Sequence, residues 1–213
     1  MPFAYDVYTG ADAKVRNHIS GINFFCDGPV WVQYGDGTAV ANSTTQTSVV
    51  TNSTSATANF LAQIPTAISS TTIPGNGMAP ASLWQSRLFG QYSTTSTPTL
   101  TVAVGFVNAA GTFTAVASTA AITMPSSVTS MDWELETYTA IRAVASGSTN
   151  NTVTKVAFRY RSAAATELSY VVVPTLATVD FTQNQTFDVR VTWGTASASN
   201  TIIANMGVFK VVG

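Results

Sequence analysis

The chain has 213 residues, a formal net charge of −1, 46% hydrophobic residues and only 9% Asp, Glu, Lys and Arg. The hydrophobic share excludes global disorder, and the length fits one all-β domain or one domain with an arm. A near-neutral balance leaves no electrostatic footprint for nucleic acid or an anionic membrane, and a single cysteine, Cys26, excludes an intrachain disulfide.

The few charges are unevenly spread. None occurs from Thr38 to Ser86, from Leu88 to Met131, or from Val191 to Phe209. Thr, Ser, Asn and Gln interrupt every apolar run, so no segment approaches the roughly 18–20 apolar residues that span a bilayer as a helix. A surface of short hydroxyl side chains is easily dehydrated against another protein, because such side chains lose little rotamer entropy and bury no charge. The composition therefore suits a chain with extensive contacts to partners.

Residues 1–40 read as an arm or docking segment. They hold Asp6, Asp12, Lys14, Arg16, Asp27 and Asp36, the aromatics Phe3, Tyr5, Tyr8, Phe24, Phe25, Trp31 and Tyr34, and the breakers Gly28-Pro29 and Gly35-Asp36-Gly37. Tyr5–Tyr8 and Val30–Tyr34 have the makings of short strands, and the aromatics are the candidate docking residues. Met1–Gly10 has neither a basic start nor an apolar core, so no secretory signal is visible there.

Residues 41–213 read almost wholly as strands. Leu100, Val102, Val104 and Phe106 alternate with small or polar residues, as do Met131, Trp133 and Leu135, then Val156, Phe158 and Tyr160, then Phe187, Val189, Val191 and Trp193. Period two with one apolar face marks a half-buried strand. Weaker candidates lie at Thr47–Val50, Asn59–Ile64, Leu83–Tyr92, Ala120–Met124, Leu168–Val173 and Ile202–Val212. Turn chemistry separates them, at Pro74-Gly75-Asn76-Gly77, near Asn108 and Gly111, and from Ser146 to Asn151. The pattern predicts an all-β, two-sheet antiparallel sandwich with an N-terminal extended arm. A jelly roll is the preferred topology and an immunoglobulin-like order the second.

Chemistry is thinly provided for. The only histidine, His18, lies in the arm with Cys26, so a nucleophile–base pair has no further support. Zinc needs several Cys or His ligands, and no Gly-rich phosphate loop enters a helix. No catalytic, cofactor or metal site is therefore expected. One run stands out: Asp132-Trp133-Glu134-Leu135-Glu136 places its carboxylates on one strand face, about 6.6–7 Å apart. Two carboxylates about 5–9.5 Å apart serve glycoside hydrolysis, and the run resembles the acidic strand of laminarinase-type sandwich glycosidases over five residues, with a different spacing. The structural alternative is a cross-strand or intersubunit charge ladder with Lys155, Arg159 and Arg161, in which Glu136 opposes Arg161 and Arg142 opposes Lys155. Trp84, Trp133, Trp193 and Tyr92 read as core in preference to a sugar-stacking platform.

From Asn42 onward the chain resembles the Thr/Ser/Ala-rich β-sandwich virion proteins of tailed bacteriophages. The likeness rests on Thr44-Thr45-Gln46-Thr47, on Leu83–Tyr92 followed by Thr99-Leu100-Thr101-Val102, and on Asp188-Val189-Arg190-Val191-Thr192-Trp193-Gly194 before a final strand. The resemblance implies a non-enzymatic capsid decoration or cement protein. Its partners are then the major capsid protein and itself, as a homotrimer, on the virion surface after synthesis in the host cytoplasm. It implies equally a fibre or spike module that binds a receptor or glycan, with loops near Asn76, Asn108 and Asn150 presenting the site.

Overall fold

The structure, a computed structural model, describes residues 30–51, 70–145, 147–163 and 165–212, and the backbone alone of residues 6–7, 15–19, 22–25, 28–29 and 67–68. Among the described residues the regular structure is all β. The N-terminal part holds β1 (Asp6–Val7), β2 (Val15–Ile19), β3 (Ile22–Phe25), β4 (Gly28–Gln33), β5 (Val40–Ala41), β6 (Thr47–Ser48), β7 (Ala67–Ile68) and β8 (Thr72–Ile73). The long strands follow: β9 (Leu83–Thr94), β10 (Thr99–Asn108), β11 (Phe113–Ser118), β12 (Ile122–Thr123), β13 (Val128–Ile141), β14 (Thr152–Ala163), β15 (Thr166–Ala177), β16 (Gln185–Trp193) and β17 (Thr201–Val211).

Two antiparallel sheets pack face to face, as the alternation predicts. The larger has eight strands in the order β15-β14-β13-β9-β17-β4-β7, with β5 also on β17. The smaller has six, β11-β10-β16-β6, with β12 on β10 and β8 on β16. Strands β1, β2 and β3 pair with one another in a separate three-stranded sheet.

Every second residue of the central strands enters the space between the two large sheets: Leu100, Val104 and Phe106 from β10, Phe187 and Val189 from β16, Leu135 from β13 and Phe158 from β14 are all buried. Aromatic rings join the layers. Phe187 of the smaller sheet stacks on Phe209 of the larger, with centroids 4.4 Å apart and planes 10° apart. Trp84 stacks on the same Phe209 at 5.1 Å. Phe106 meets Phe181 and Phe187 edge-on at 5.3 and 5.8 Å, the geometry the ring quadrupole favours. Trp84, Trp133, Trp193 and Tyr92 are all buried, so none of them forms a sugar-stacking surface.

The sheet reaches further toward the N-terminus than the expected boundary at residue 41. β4 pairs with β17, Trp31 opposite Phe209. Trp31 is buried and donates its indole N–H to the Thr51 carbonyl at 2.7 Å. Its aromatic surface therefore serves the sandwich, whereas Tyr34 is 45% exposed. Of the other candidate docking residues, Phe24 and Phe25 lie on β3, of which only the backbone is described, and Phe3, Tyr5 and Tyr8 lie outside the described residues, as does the strand expected at Asn59–Ile64.

Part of the hydroxyl wealth is internal. Ser86 bonds Thr137 at 2.6 Å, Thr139 bonds Thr154 at 3.0 Å, and Thr71 donates to the Phe187 carbonyl at 2.7 Å, all in buried positions. Each hydroxyl is satisfied, which removes the desolvation penalty an unpaired one would carry.

Two positions tune the larger sheet. Gly90 of β9 lies opposite Trp133 of β13, whose indole N–H is shared between the Gln91 and Ile203 carbonyls at 3.2 and 3.1 Å. A Cβ at Gly90 would fall 1.9 Å from the Ile203 oxygen and 2.8 Å from that indole nitrogen. Asn151 is buried before β14. Its amide donates to the Ala143 and Val179 carbonyls at 3.2 and 2.6 Å, and its side-chain oxygen accepts the Val179 N–H at 2.9 Å. Gly90→Ala should destabilise the fold by about 3 kcal/mol through overpacking. Asn151→Ala should cost about 2 kcal/mol by stranding buried backbone groups. Urea unfolding of both variants checks these values, and unchanged midpoints would contradict the two assignments.

Candidate functional site

The outward face of the larger sheet gathers the charges. Arg87 of β9, Asp132, Glu134 and Glu136 of β13, Lys155, Arg159 and Arg161 of β14, Glu167 of β15 and Lys210 of β17 share that face by register. They are nine of the nineteen ionisable Lys, Arg, Asp and Glu side chains in the sequence; five more, Asp36, Arg142, Asp180, Asp188 and Arg190, are spread over the rest of the described sandwich.

The ladder exists, but its register differs from the expected one. Glu134 opposes Arg159, Glu136 opposes Ala157, and Tyr138 opposes Lys155. Glu136–Arg161 and Arg142–Lys155 are therefore not cross-strand pairs. The reason is the Asn151 clamp: the Arg142 N–H donates to the Asn151 carbonyl at 2.7 Å, Thr152 then pairs with Ile141, and the hairpin closes two residues earlier on each strand.

A partner missed in the sequence completes the network. Arg87 lies opposite Glu136 across the other edge of β13. Its Nη2 reaches Glu134 Oε1 at 2.5 Å, and its Nε stands 3.8 Å from Glu136 Oε1. Arg159 Nη1 is 3.7 Å from Glu134 Oε2, and Arg161 Nε is 3.2 Å from Asp132 Oδ2. Gln85 donates to Glu136 at 3.1 Å and to the Tyr138 hydroxyl at 2.9 Å, and that hydroxyl donates to Glu136 at 3.1 Å. The Arg87 guanidinium also lies over the Phe89 ring at 5.1 Å. Its bond to Glu134 raises the pKa of Arg87. Burial, then the bond to Glu136, pushes the Tyr138 phenol up. The signal that would have found Arg87 was its place as the lone charge in the run Thr38–Met131, which marks it for a paired position.

A shallow open cleft of about 340 Å³ lies on the same face, between Phe89 and Met206 on one side and Asp132, Arg159, Arg161 and Glu167 on the other. Met206 is 54% exposed at the irregularity in β17, and Asn205 beside it donates to Asp36 at 2.6 Å. Beneath the cleft Tyr160 turns inward and stacks on Tyr170 at 6.2 Å. Burial, reinforced by Tyr170, raises the Tyr160 phenol to about 12, and burial raises that of Tyr92 further. Among the described residues no group of His, Cys, Asp and Glu is arranged to hold a metal ion, and no helix is long and apolar enough to cross a membrane. His18 lies on β2, where only the backbone is described.

The loop asparagines are turn formers. Asn108 accepts the Ala110 and Thr112 N–H groups at 3.0 and 2.9 Å. Asn76 and Asn150 sit at φ of 60° and 50°, the left-handed region that asparagine tolerates. Comparison of the chain with protein-family models, with curated proteins and with solved structures returns no match.

Two outcomes follow. Arg87→Ala leaves Glu134 and Glu136 adjacent without their shared cation. It should lower stability by about 1 kcal/mol, a figure reduced for solvent screening, while exposed Lys155→Ala should stay within about 0.5 kcal/mol; paired urea titrations decide. Tyr160 has a folded pKa of about 12 against an ordinary 10.0. The unfolded chain therefore loses this proton first, and stability falls as pH rises from 10 towards 12. Tyr160→Phe should flatten that part of the alkaline stability curve, and an identical curve in the variant would contradict the shift.

Proposed function

We propose that this chain is a non-catalytic structural protein of a bacteriophage virion, which decorates the capsid exterior and cements neighbouring capsid subunits. The observation that carries the reading is the segregation of charge. Nine ionised side chains are gathered on one sheet face, where arginines grip Asp132, Glu134 and Glu136. Elsewhere the described sandwich carries five charged residues, Asp36, Arg142, Asp180, Asp188 and Arg190, and between them lies hydroxyl and apolar surface that dehydrates cheaply against a neighbour. The likeness of residues from Asn42 onward to phage virion sandwiches supplies the setting, and the major capsid protein is the partner it implies.

A cement protein works by broad contact at several points, and its gain is one of effective concentration, about 10²–10⁴ over a single contact. The reacting groups of a hydrolase are not favoured here. A general acid must bring a proton to the substrate, whereas Asp132 and Glu134 are each held by guanidinium groups at 3.7 Å or less.

The segment ahead of the sandwich is the proposed dock. Since β4 is part of the larger sheet, the segment that can be removed without breaking the sheet ends before Gly28. Deleting residues 1–27 should abolish binding to the assembled particle and leave the unfolding free energy within about 1 kcal/mol of the full chain. Full occupancy of particles by the deleted protein, counted in images of labelled virions, would refute the docking role.

One observation favours a second reading, a receptor- or glycan-binding module of a fibre or spike. The cleft combines carboxylates, arginines and Gln91 with the apolar faces of Phe89 and Met206, the mixture of hydrogen-bonding groups and apolar surface that small-ligand sites use. Glycan-array binding that disappears in Asp132→Asn would move the reading there.

A further inference from the structure

The larger sheet ends in an unusual edge. β15 has twelve residues, and β14 is its only pairing partner among the described strands. At about 3.4 Å per residue it offers roughly 40 Å of edge with open N–H and C=O groups. The opposite end of the sheet stops at two-residue β7. Folded proteins guard such edges with charge, brevity or cover, because an open ladder templates further pairing. Among the described residues β15 is guarded only weakly: it is long, its one charge is Glu167 near its start, and β11 approaches part of one face without pairing. Leu168, Tyr170, Val171, Val173 and Leu176 are 40–76% exposed and make up five of the seven large exposed hydrophobics among the described residues. Pro174 removes one N–H from the edge, and among the described strands none pairs with the other positions.

We propose that β15 is where two copies of this chain join, strand against strand and antiparallel, about a two-fold axis at Val172. An open ladder admits only an extended backbone, and the chemistry of this strand matches its own reversal. Val171 and Val173 lie equally far from Val172, as do Ser169 and Thr175, and Leu168 and Leu176. Tyr170 mirrors Pro174. Val173 and Pro174 both fall opposite Lys155, so the half of the strand after Val172 is displaced by one residue, and the match is one of residue type in sequence order about Val172.

Charge sets the direction. The only ionised residue on β15 is Glu167, near its start. The two-fold carries each Glu167 to the far end of the other copy, about 30–35 Å from its mate at 3.4 Å per residue. A parallel in-register pairing would set them side by side, and like charges directly opposed destabilise a ladder. The junction is isologous and closes at two copies, where the likeness to phage proteins implies three. It holds whether the protein works on a capsid or elsewhere.

Light scattering of the full chain at about 100 µM, above the micromolar Kd of a modest interface, should give twice the 22.3 kDa subunit mass. Val171→Lys and Val173→Lys, each at a position at least 57% exposed, should give the subunit mass with an unchanged circular dichroism spectrum. Register is read separately, with milder changes. In a Cys26→Ser background, Val172→Cys should cross-link to a dimer on mild oxidation and Leu168→Cys should not, because the Leu168 pair stands about 25 Å apart. A monomeric or trimeric wild type overturns the proposal. So does a dimer that survives both lysine changes, including one lost only on deleting residues 1–27. Equal cross-linking at positions 168 and 172 overturns the register.

Discussion

Phe187 stacked on Phe209 is the contact through which the two sheets become one body. Phe209 also carries Trp84, and Phe187 also takes the edge of Phe106, so rings from β9, β10, β16 and β17 meet at one place. Those strands are the central members of their sheets, and their pairing partners are fixed once this contact forms. The register of the larger sheet then follows from local devices, the Gly90 space for Trp133 and the Asn151 clamp before β14. A one-residue slip on any of these strands would turn the aromatic face outward.

The same geometry dictates where charge can stand. Strand residues alternate between faces, so a sequence that spaces Asp132, Glu134 and Glu136 two apart commits all three to the side away from the rings. Arg87, Arg159 and Arg161 come to that side from flanking strands. The result is a surface whose charges answer one another, and its outward field is weaker than its charge density suggests. On the other sheet the comparable device is single: Asp188, buried, accepts from Ser48 at 2.5 Å and from Arg190 at 2.8 Å, and Arg190 lies over Phe113 at 4.4 Å.

Much of this was legible in the sequence, for a physical reason. β10, β13, β14 and β16 are buried on one face and alternate accordingly, so they announce themselves at short range. β4 was legible as a strand at Val30–Tyr34 but not as a member of the sheet, since the Gly35-Asp36-Gly37 turn that follows it suggested a boundary. Its pairing of Trp31 with Phe209 joins positions far apart in the chain, and no local pattern reports that. Arg87 escaped notice for the same reason: its role depends on β9 lying beside β13. Of the expected ladder, Asp132, Glu134, Arg159 and Arg161 meet across β13 and β14 with other partners than expected, and Lys155 stands opposite Tyr138, because the offset lies in a buried asparagine that looks, in sequence, like any other loop residue. β2, β3, β5, β7, β8 and β11 were missed; β5, β7 and β8 are too short for a period, and β11 has only Phe113 and Val116 as large apolar residues, three apart, so no period of two stands out.

β15 shows what the alternation rule conceals. Its run of Val171, Val172 and Val173 has no period, and so it reads as a weak strand. In the fold that irregularity means apolar side chains on both faces of an edge, and the neighbouring β11 covers only part of one. A buried central strand with this composition would need no comment, since strands enclosed on both faces are apolar throughout. At the edge the composition is that of a central strand lacking its second neighbour. The ladder of charges stops short of it at Glu167, which leaves the last ten residues of the strand free of ionised groups that a neighbour would have to desolvate. A sheet whose interior is closed by aromatic stacking and whose outer face is neutralised by its own ion pairs thus keeps, among the described strands, a long unpaired edge at β15. Its chemistry is that of the sheet continuing into another molecule.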